Sequence, residues 1–316
     1  MPNEKKVTVA TIVTERILDM LSQGVIPWMR PYMVGPNAAR GYEMPKGQEY
    51  TGINRILLPL PGEYLTRKMV EKYGGTIIDE KKFYIATFFK VEELTHTSDD
   101  GEAVVVDGRR RIFRYYKVWH ISNTTGIKSK VSRARDTDAV VIDEDAESII
   151  AAYRSFSGMD IVNDTVCGTP RYDFSDDTAY LPAREAYVND ESYYNDIFHQ
   201  MCISALIGMS DNPSQFIAGA IADYSERKLV DLVAEIGAAM LMGRCGLDVQ
   251  KVLRNDAALV QRWMRELKAD SWLIISAARQ AEKVVDHIMS QVIPTSENIF
   301  DFITRNNVSE RIPAIA

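Results

Sequence analysis

The residues best equipped for chemistry lie in two stretches of the second half, "YYNDIFHQMCISALI" (193–207) and "KLVDLVAEIGAAM" (228–240). A catalytic zinc helix is spelled H-E-x-x-H: histidines at i and i+4 share one helical face and grip the metal, while the glutamate activates the bound water. Here His199 occupies the first position, but Gln200 follows it and Ile203 takes the place of the second histidine. A carboxamide can hydrogen-bond a water but cannot take its proton, and an isoleucine cannot ligate, so His199, Gln200 and Ile203 make a degenerate set with no assignable catalytic residue. Asp231 and Glu235, at i and i+4, place two carboxylates on one face of the other stretch, and Cys202 is three residues from His199. Two readings stay open at this level. His199 and Glu235, with Asp231 and Cys202 as weaker contributors, could hold a metal; alternatively His199 and Glu235 hydrogen-bond each other across two packed helices.

The first half carries different chemistry. Aromatic faces on which bases stack and cations that follow phosphates are what sequence-tolerant binding of single strands requires. Both alternate in "PWMRPY", "RGYEMPKGQEYTGIN" and "RRRIFRYYKVWH". These supply Trp28, Arg30, Tyr42, Lys46 and Tyr50, and then Arg109, Arg110, Arg111, Arg114, Tyr116 and Trp119. Period-two alternation puts Phe113, Tyr115, Lys117 and Trp119 on one face of the last stretch, and Arg114, Tyr116 and His120 on the other. One face is expected to be core. Charge agrees with this division of labour: residues 1–135 carry 22 Lys+Arg against 15 Asp+Glu, and residues 136–316 carry 15 against 29. A basic half joined to an acidic half is the footprint of a nucleic-acid module attached to something else. No loop of the P-loop or dinucleotide type occurs, which argues against nucleotide hydrolysis.

The elements that must position these residues follow from periodicity and punctuation. An amphipathic helix is expected over 8–23, with Gly24 at its C-terminal cap, then an irregular loop ending in a short helix or strand at 52–59 and a helix-like segment at 64–77 stopped by Gly74-Gly75. β-rich runs at 81–94 and 109–122, the second preceded by Asp107-Gly108, predict a hairpin. Beyond 145 the pattern is helical, over 145–156, 189–210, 213–222, 226–243, 248–253, 256–268 and 270–290, with one extended piece at 170–182. The fold class is α+β: an N-terminal α+β domain at 1–135, a linker at 136–145 where charge switches sign, and a mainly helical domain at 146–316. Three cysteines, Cys167, Cys202 and Cys245, form no C-x-x-C pair and suggest neither a disulfide framework nor a zinc ribbon. No apolar run is long enough to span a membrane, so the expectation is a cytoplasmic protein with no membrane contact.

Six segments in a fixed order resemble the ArdC-like antirestriction proteins of plasmids and phages, related to the TraC-type conjugation proteins. They are "IPWMRPY", "PNAARGYEMPKGQEYTGINRILL", "YYKVWHISNTTGI", "YDFSDDTAYLPAREAYVNDESYYNDIFHQM", "LVAEIGAAML" and "WMRELKADSWLIISAARQAEKVVDHI". The resemblance implies a single-stranded-DNA-binding domain followed by a zincin-like metallopeptidase domain. It implies nucleic-acid roles for Trp28, Arg30, Tyr50, Gly52, Asn54, Tyr116 and Trp119, although Gly52 and Asn54 serve equally well to hold a turn. It identifies His199 with the family's first zinc ligand and Glu235 with an acidic ligand, while Gln200 and Ile203 depart from the catalytic spelling. The expected function is that of a DNA-binding antirestriction factor of a mobile element, acting on single-stranded DNA or on a host restriction or defence protein, with a zincin-like domain that has lost hydrolysis. No resident cofactor is expected, with zinc left open. An atypical metalloprotease using His199, Cys202 and Glu235, and an interaction scaffold that occupies a host protein, are the competing readings.

Overall fold

A computed structural model describes residues 8–29, 38–45, 48–97, 103–130, 143–164, 168–252 and 257–292. Helix α1 (Val9–Ser22) starts where the Thr8 hydroxyl accepts a hydrogen bond from Thr11 N–H, and Ala10, Val13, Ile17 and Leu21 form its buried stripe. The chain leaves it through Gly24 at φ +75°, a conformation that glycine adopts without a Cβ penalty. Strand β1 (Ala39–Gly41), helix α2 (Ile53–Leu57), strand β2 (Gly62–Leu65), helix α3 (Arg67–Lys72) and strand β3 (Thr76–Ile77) follow, then the long hairpin of β4 (Tyr84–Thr97) and β5 (Ala103–His120), and the short β6 (Thr124–Thr125). One sheet has the order β1-β2-β5-β4, with β1 parallel to β2 and the other pairs antiparallel; β3 pairs with β6. The helix expected over 64–77 is shorter. Tyr64 and Leu65 belong to β2, both fully buried opposite His120 and Trp119, and the Thr66 hydroxyl starts α3 by accepting from Met69 N–H.

The second section opens with helix α4 (Asp143–Ser157) and a three-stranded sheet of β7 (Asp160–Asp164), β8 (Arg171–Asp173) and β9 (Thr178–Pro182), in the order β7-β9-β8. Only the last two were expected. β7, "DIVND", has too few apolar residues to stand out, and its parallel pairing with β9 comes from tertiary context. Helices α5 (Asp190–Gly208), α6 (Pro213–Ala222) and α7 (Tyr224–Arg244) follow. Asn189 caps α5 by accepting from Ser192 N–H at 2.8 Å, and Asp190 and Glu191 sit in its first turn, where the helix dipole favours negative charge. On α7 the buried run Ala234, Gly237, Ala238 and Ala239 lets another backbone approach closely, and α5 packs there.

Helices α8 (Ala257–Ala269) and α9 (Leu273–Ser290) are the last elements among the described residues. The division in space differs from the division along the sequence. One compact unit comprises 1–43, 49–135 and 253–279; the other comprises 44–48, 136–252 and 280–316. Thus α8 and the start of α9, which chain order alone assigns to the second domain, pack in the first unit. There Trp263 meets Trp28 edge to face at 6.2 Å, and the Thr14 hydroxyl donates to the Ser271 carbonyl at 2.8 Å. Buried aromatic area of this kind is worth enough to override sequence order.

Candidate functional site

In the second unit, His199, Gln200 and Ile203 of α5 face Arg227, Val230 and Asp231 of α7 and Arg171 and Tyr172 of β8 across a cleft of about 260 Å³. The helix that would carry zinc is therefore present, and its second-histidine position presents a methyl-bearing side chain. Gln200 is only 5% exposed and its Oε1 has no hydrogen-bond partner. A neutral carboxamide tolerates such a site better than a carboxylate, which when buried needs a cation. Beside it the Tyr172 hydroxyl donates to Asp177, and burial, reinforced by that carboxylate, pushes the hydroxyl pKa up. Asp177 sits at φ +53° in the turn that delivers the bond.

The proposed ligands His199, Cys202, Asp231 and Glu235 do not converge: among the described residues no group of three His, Cys, Asp or Glu is arranged to hold a metal. Cys202 is the clearest departure from expectation. It is fully buried, with its Sγ directed at Gly237 of α7, 2.6 Å from where a Cβ on that glycine would stand, and burial pushes its thiol well above the ordinary cysteine range. A zinc ligand must be a thiolate facing the cation, whereas the Cys202 sulfur is directed into a helix–helix seam where burial disfavours the thiolate. His199 and Asp231 share the cleft, and Glu235 lies one turn further along α7, half-buried. One histidine and one carboxylate fall short of the three protein ligands of a catalytic zinc site.

In the first unit the structure sorts the aromatics by burial. Trp28 is 0% exposed against Trp263 and has no face open to a base. Tyr42 is buried, its hydroxyl donating to the Lys128 carbonyl at 3.0 Å; Trp119 is buried with the Arg67 guanidinium over its ring at 5.4 Å. Tyr50 is buried with its hydroxyl 3.3 Å from that of Tyr116, and burial and this bond together raise its pKa. Gly52, at φ +57°, starts α2, and Asn54 clamps β4 by donating to the Thr87 carbonyl at 2.9 Å and accepting from Thr87 N–H at 2.7 Å and from the Thr87 hydroxyl at 2.9 Å. These positions hold the loop. Arg30 and Lys46 lie outside the described residues, as do the side chains of Arg109 and Arg110.

The surface these residues support is the hairpin. At its inner end both faces are covered, with Val118, Trp119 and His120 all buried, contrary to the expectation of one core face. Further out both faces are open: Phe88, Phe89, Val91 and Tyr115 are exposed, as are Arg111, Arg114 and Lys117. Register puts Phe88 opposite Arg114, Phe89 opposite Phe113 and Val91 opposite Arg111. Phe88, Phe89 and Val91 are missing from the sequence-derived candidates, although the β-rich, aromatic run "FYIATFFKV" that holds them carries the signal.

An α+β unit carrying a basic, aromatic hairpin, joined to a helical unit with a zinc-type helix, defines a two-domain α+β protein whose second unit has a metallopeptidase-like fold. Residues 8–119 match the N-terminal domain of anti-restriction factor ArdC, and residues 144–280 match a zincin-like metallopeptidase. The chain belongs to the ArdC-like antirestriction proteins. Two Escherichia coli proteins named DNA primase TraC are each 25% identical to it, over 296 and 301 residues, and each alignment covers 88% of this chain. The chain spans 20% and 27% of the length of those relatives. The fold is shared with the crystal structures of the ArdC protein from the R388 plasmid. The metal-free form has a TM-score of 0.67 at 23% identity, covering 90% of this chain and 98% of the other; the Mn(II)-bound form has 0.63 at 21%, covering 92% and 100%. Among the described residues no helix is long and apolar enough to cross a membrane.

Proposed function

We propose that this chain binds single-stranded DNA through the β4–β5 hairpin, protecting a mobile element's DNA from the host restriction system, and that its zincin-like unit does not hydrolyse peptides. The observation that carries the binding reading is the hairpin itself: exposed Phe88, Phe89 and Tyr115 interleaved with Arg111, Arg114 and Lys117. A large apolar surface is costly to leave in water, and stacked bases cover it while phosphates meet the cations. Loss of hydrolysis is supported by Gln200 and Ile203 in the catalytic positions and by Cys202 in the α5–α7 seam. The Mn(II) reported for the R388 protein is a property of that protein, and the donor set around His199 does not match a catalytic zinc site.

The test is a titration of labelled single-stranded oligonucleotide at several salt concentrations. If two to three cations meet phosphates, the slope of log K against log salt is roughly −1.5 to −2, at about −0.7 per contact for single strands. Absence of binding at low salt would sink the reading.

A further inference from the structure

The exposed tryptophan of this chain is not in the hairpin. We infer that Trp272, at the junction of α8 and α9, completes the DNA-stacking surface on one face of the hairpin, a proposal that rests on the binding reading above. The register places Phe89 and Phe113 opposite each other, with Arg111 on the same face toward the tip and Tyr115 and Lys117 toward the base. Their rings form a continuous ladder: Phe89 to Phe113 at 4.8 Å with 32° between planes, and Phe113 to Trp272 at 5.4 Å with 43°. Arg111 lies over Phe89 at 5.1 Å. The ladder thus has a cation at its Phe89 end, and Lys117, its ammonium over the Phe83 ring at 4.1 Å, follows on the same strand face; a single strand needs such cations if its bases stack while its phosphates are neutralised.

Exposure singles out Trp272. The chain has four tryptophans; Trp28 and Trp263 are 0% exposed and Trp119 is 4%, whereas Trp272 is 44%, beside Tyr115 at 40% and Phe89 at 38%. The indole is held in place from its backbone. Trp272 N–H donates to Asp270 Oδ1 at 2.8 Å, its carbonyl accepts from Ser276 N–H at 2.9 Å, and the carbonyl of the preceding Ser271 accepts from Thr14 at 2.8 Å. Ordering the ring before binding lowers the entropy cost of stacking on it. The opposite face of the hairpin is less suited. Its Phe88 is exposed, but the neighbouring Tyr116 is tied by its hydroxyl to Tyr50. Charge decides between a strand of DNA and an apolar protein surface as the occupant: among the described residues Arg111 and Lys117 contact the rings of Phe89 and Phe83 and form no ion pair, and a protein-binding apolar face would leave both cations to be desolvated.

All four indoles fluoresce, but Trp272 is the one exposed for a bound base to stack on, so quenching on binding reports on it. The experiment titrates the 316-residue chain with oligo(dT), recording tryptophan emission and, in parallel, the anisotropy of a labelled oligo(dT). The expected result is saturable quenching that tracks the anisotropy and reverses with salt. Trp272→Phe keeps the binding and loses the quenching. Trp272→Ala weakens binding by about 5- to 150-fold, the range that stacking of one base is worth on truncation to alanine, while Phe88→Ala on the other face changes it less than Trp272→Ala. If oligo(dT) binds without quenching and Trp272→Ala binds as the unaltered chain does, the role of Trp272 is overturned and the binding reading stands. If no oligo(dT) binds at low salt, the binding reading itself fails. Should Trp272→Ala not fold, the quenching in the unaltered chain and its loss in Trp272→Phe decide the matter alone.

Discussion

Replacing Gly237 by alanine tests whether Cys202 lies in the helix seam or is free to serve the cleft. The added Cβ would stand 2.6 Å from Cys202 Sγ, 3.5 Å from its Cβ and 3.8 Å from Val285 Cγ2, so the sulfur must swing aside within a fully buried site. Overpacking of one methyl in a close-packed core costs about 1–3 kcal/mol. Against this, alanine is better than glycine inside a helix by about 1 kcal/mol. The net expectation for Gly237→Ala is a loss of up to about 2 kcal/mol, a fall in melting temperature of up to roughly 8 °C for a unit of this size. In Gly237→Ala/Cys202→Ala the new methyl occupies the volume vacated by the sulfur, so the double variant is more stable than Gly237→Ala alone, with a coupling of about 1–2 kcal/mol. Thermal unfolding followed by calorimetry or circular dichroism of the four chains gives the cycle. Strictly additive effects, or a stabilising Gly237→Ala, would place the sulfur elsewhere and reopen a His199–Cys202 metal pair.

Asn54→Ala removes three hydrogen bonds to Thr87 and is expected to cost about 3 kcal/mol at about 1 kcal/mol each, measured by chemical denaturation. Glu43 is held below the ordinary carboxylate range chiefly by its hydrogen bond from the Lys72 ammonium. A depressed folded-state pKa stabilises above the unfolded value and is lost as pH falls through the folded one, so Glu43→Gln flattens the acid limb of stability in thermal melts run from neutral to acid pH. Restoring the spelling with Gln200→Glu/Ile203→His gives α5 the general base and second histidine, and elemental analysis is expected to find more bound zinc than in the unaltered chain; no gain would mean that α7 supplies no usable third ligand.

The helices of the second half could be read from the sequence because their caps and apolar stripes are local: Asn189, Asn212 and Asp223 each cap a helix where the pattern begins. The degeneracy of the zinc helix was equally plain, since it depends on the identities of Gln200 and Ile203. Distance along the chain hid the rest. Trp28, Tyr42 and Tyr50 have the composition of stacking residues, but the first unit uses them as core, because a partner such as Trp263 arrives from the far end of the sequence. Trp272 was invisible for the same reason in reverse, its place beside Phe113 depending on α8 and α9 joining the first unit. Tyr64 and Leu65 continue a helical pattern into α3, and only pairing with β5 makes them a strand. Cys202 sits at the spacing of a ligand, yet the choice between cleft and seam is made by Gly237, one helix away.

The central proposal is that one unit binds DNA and that the other has lost the metal chemistry of a zincin. The most direct measurement takes both readings from one purified sample: zinc and manganese per chain by elemental analysis, and affinity for oligo(dT) at low and high salt. The expected result is metal far below one equivalent together with salt-sensitive binding. A full equivalent of metal with no affinity for the oligonucleotide would contradict it.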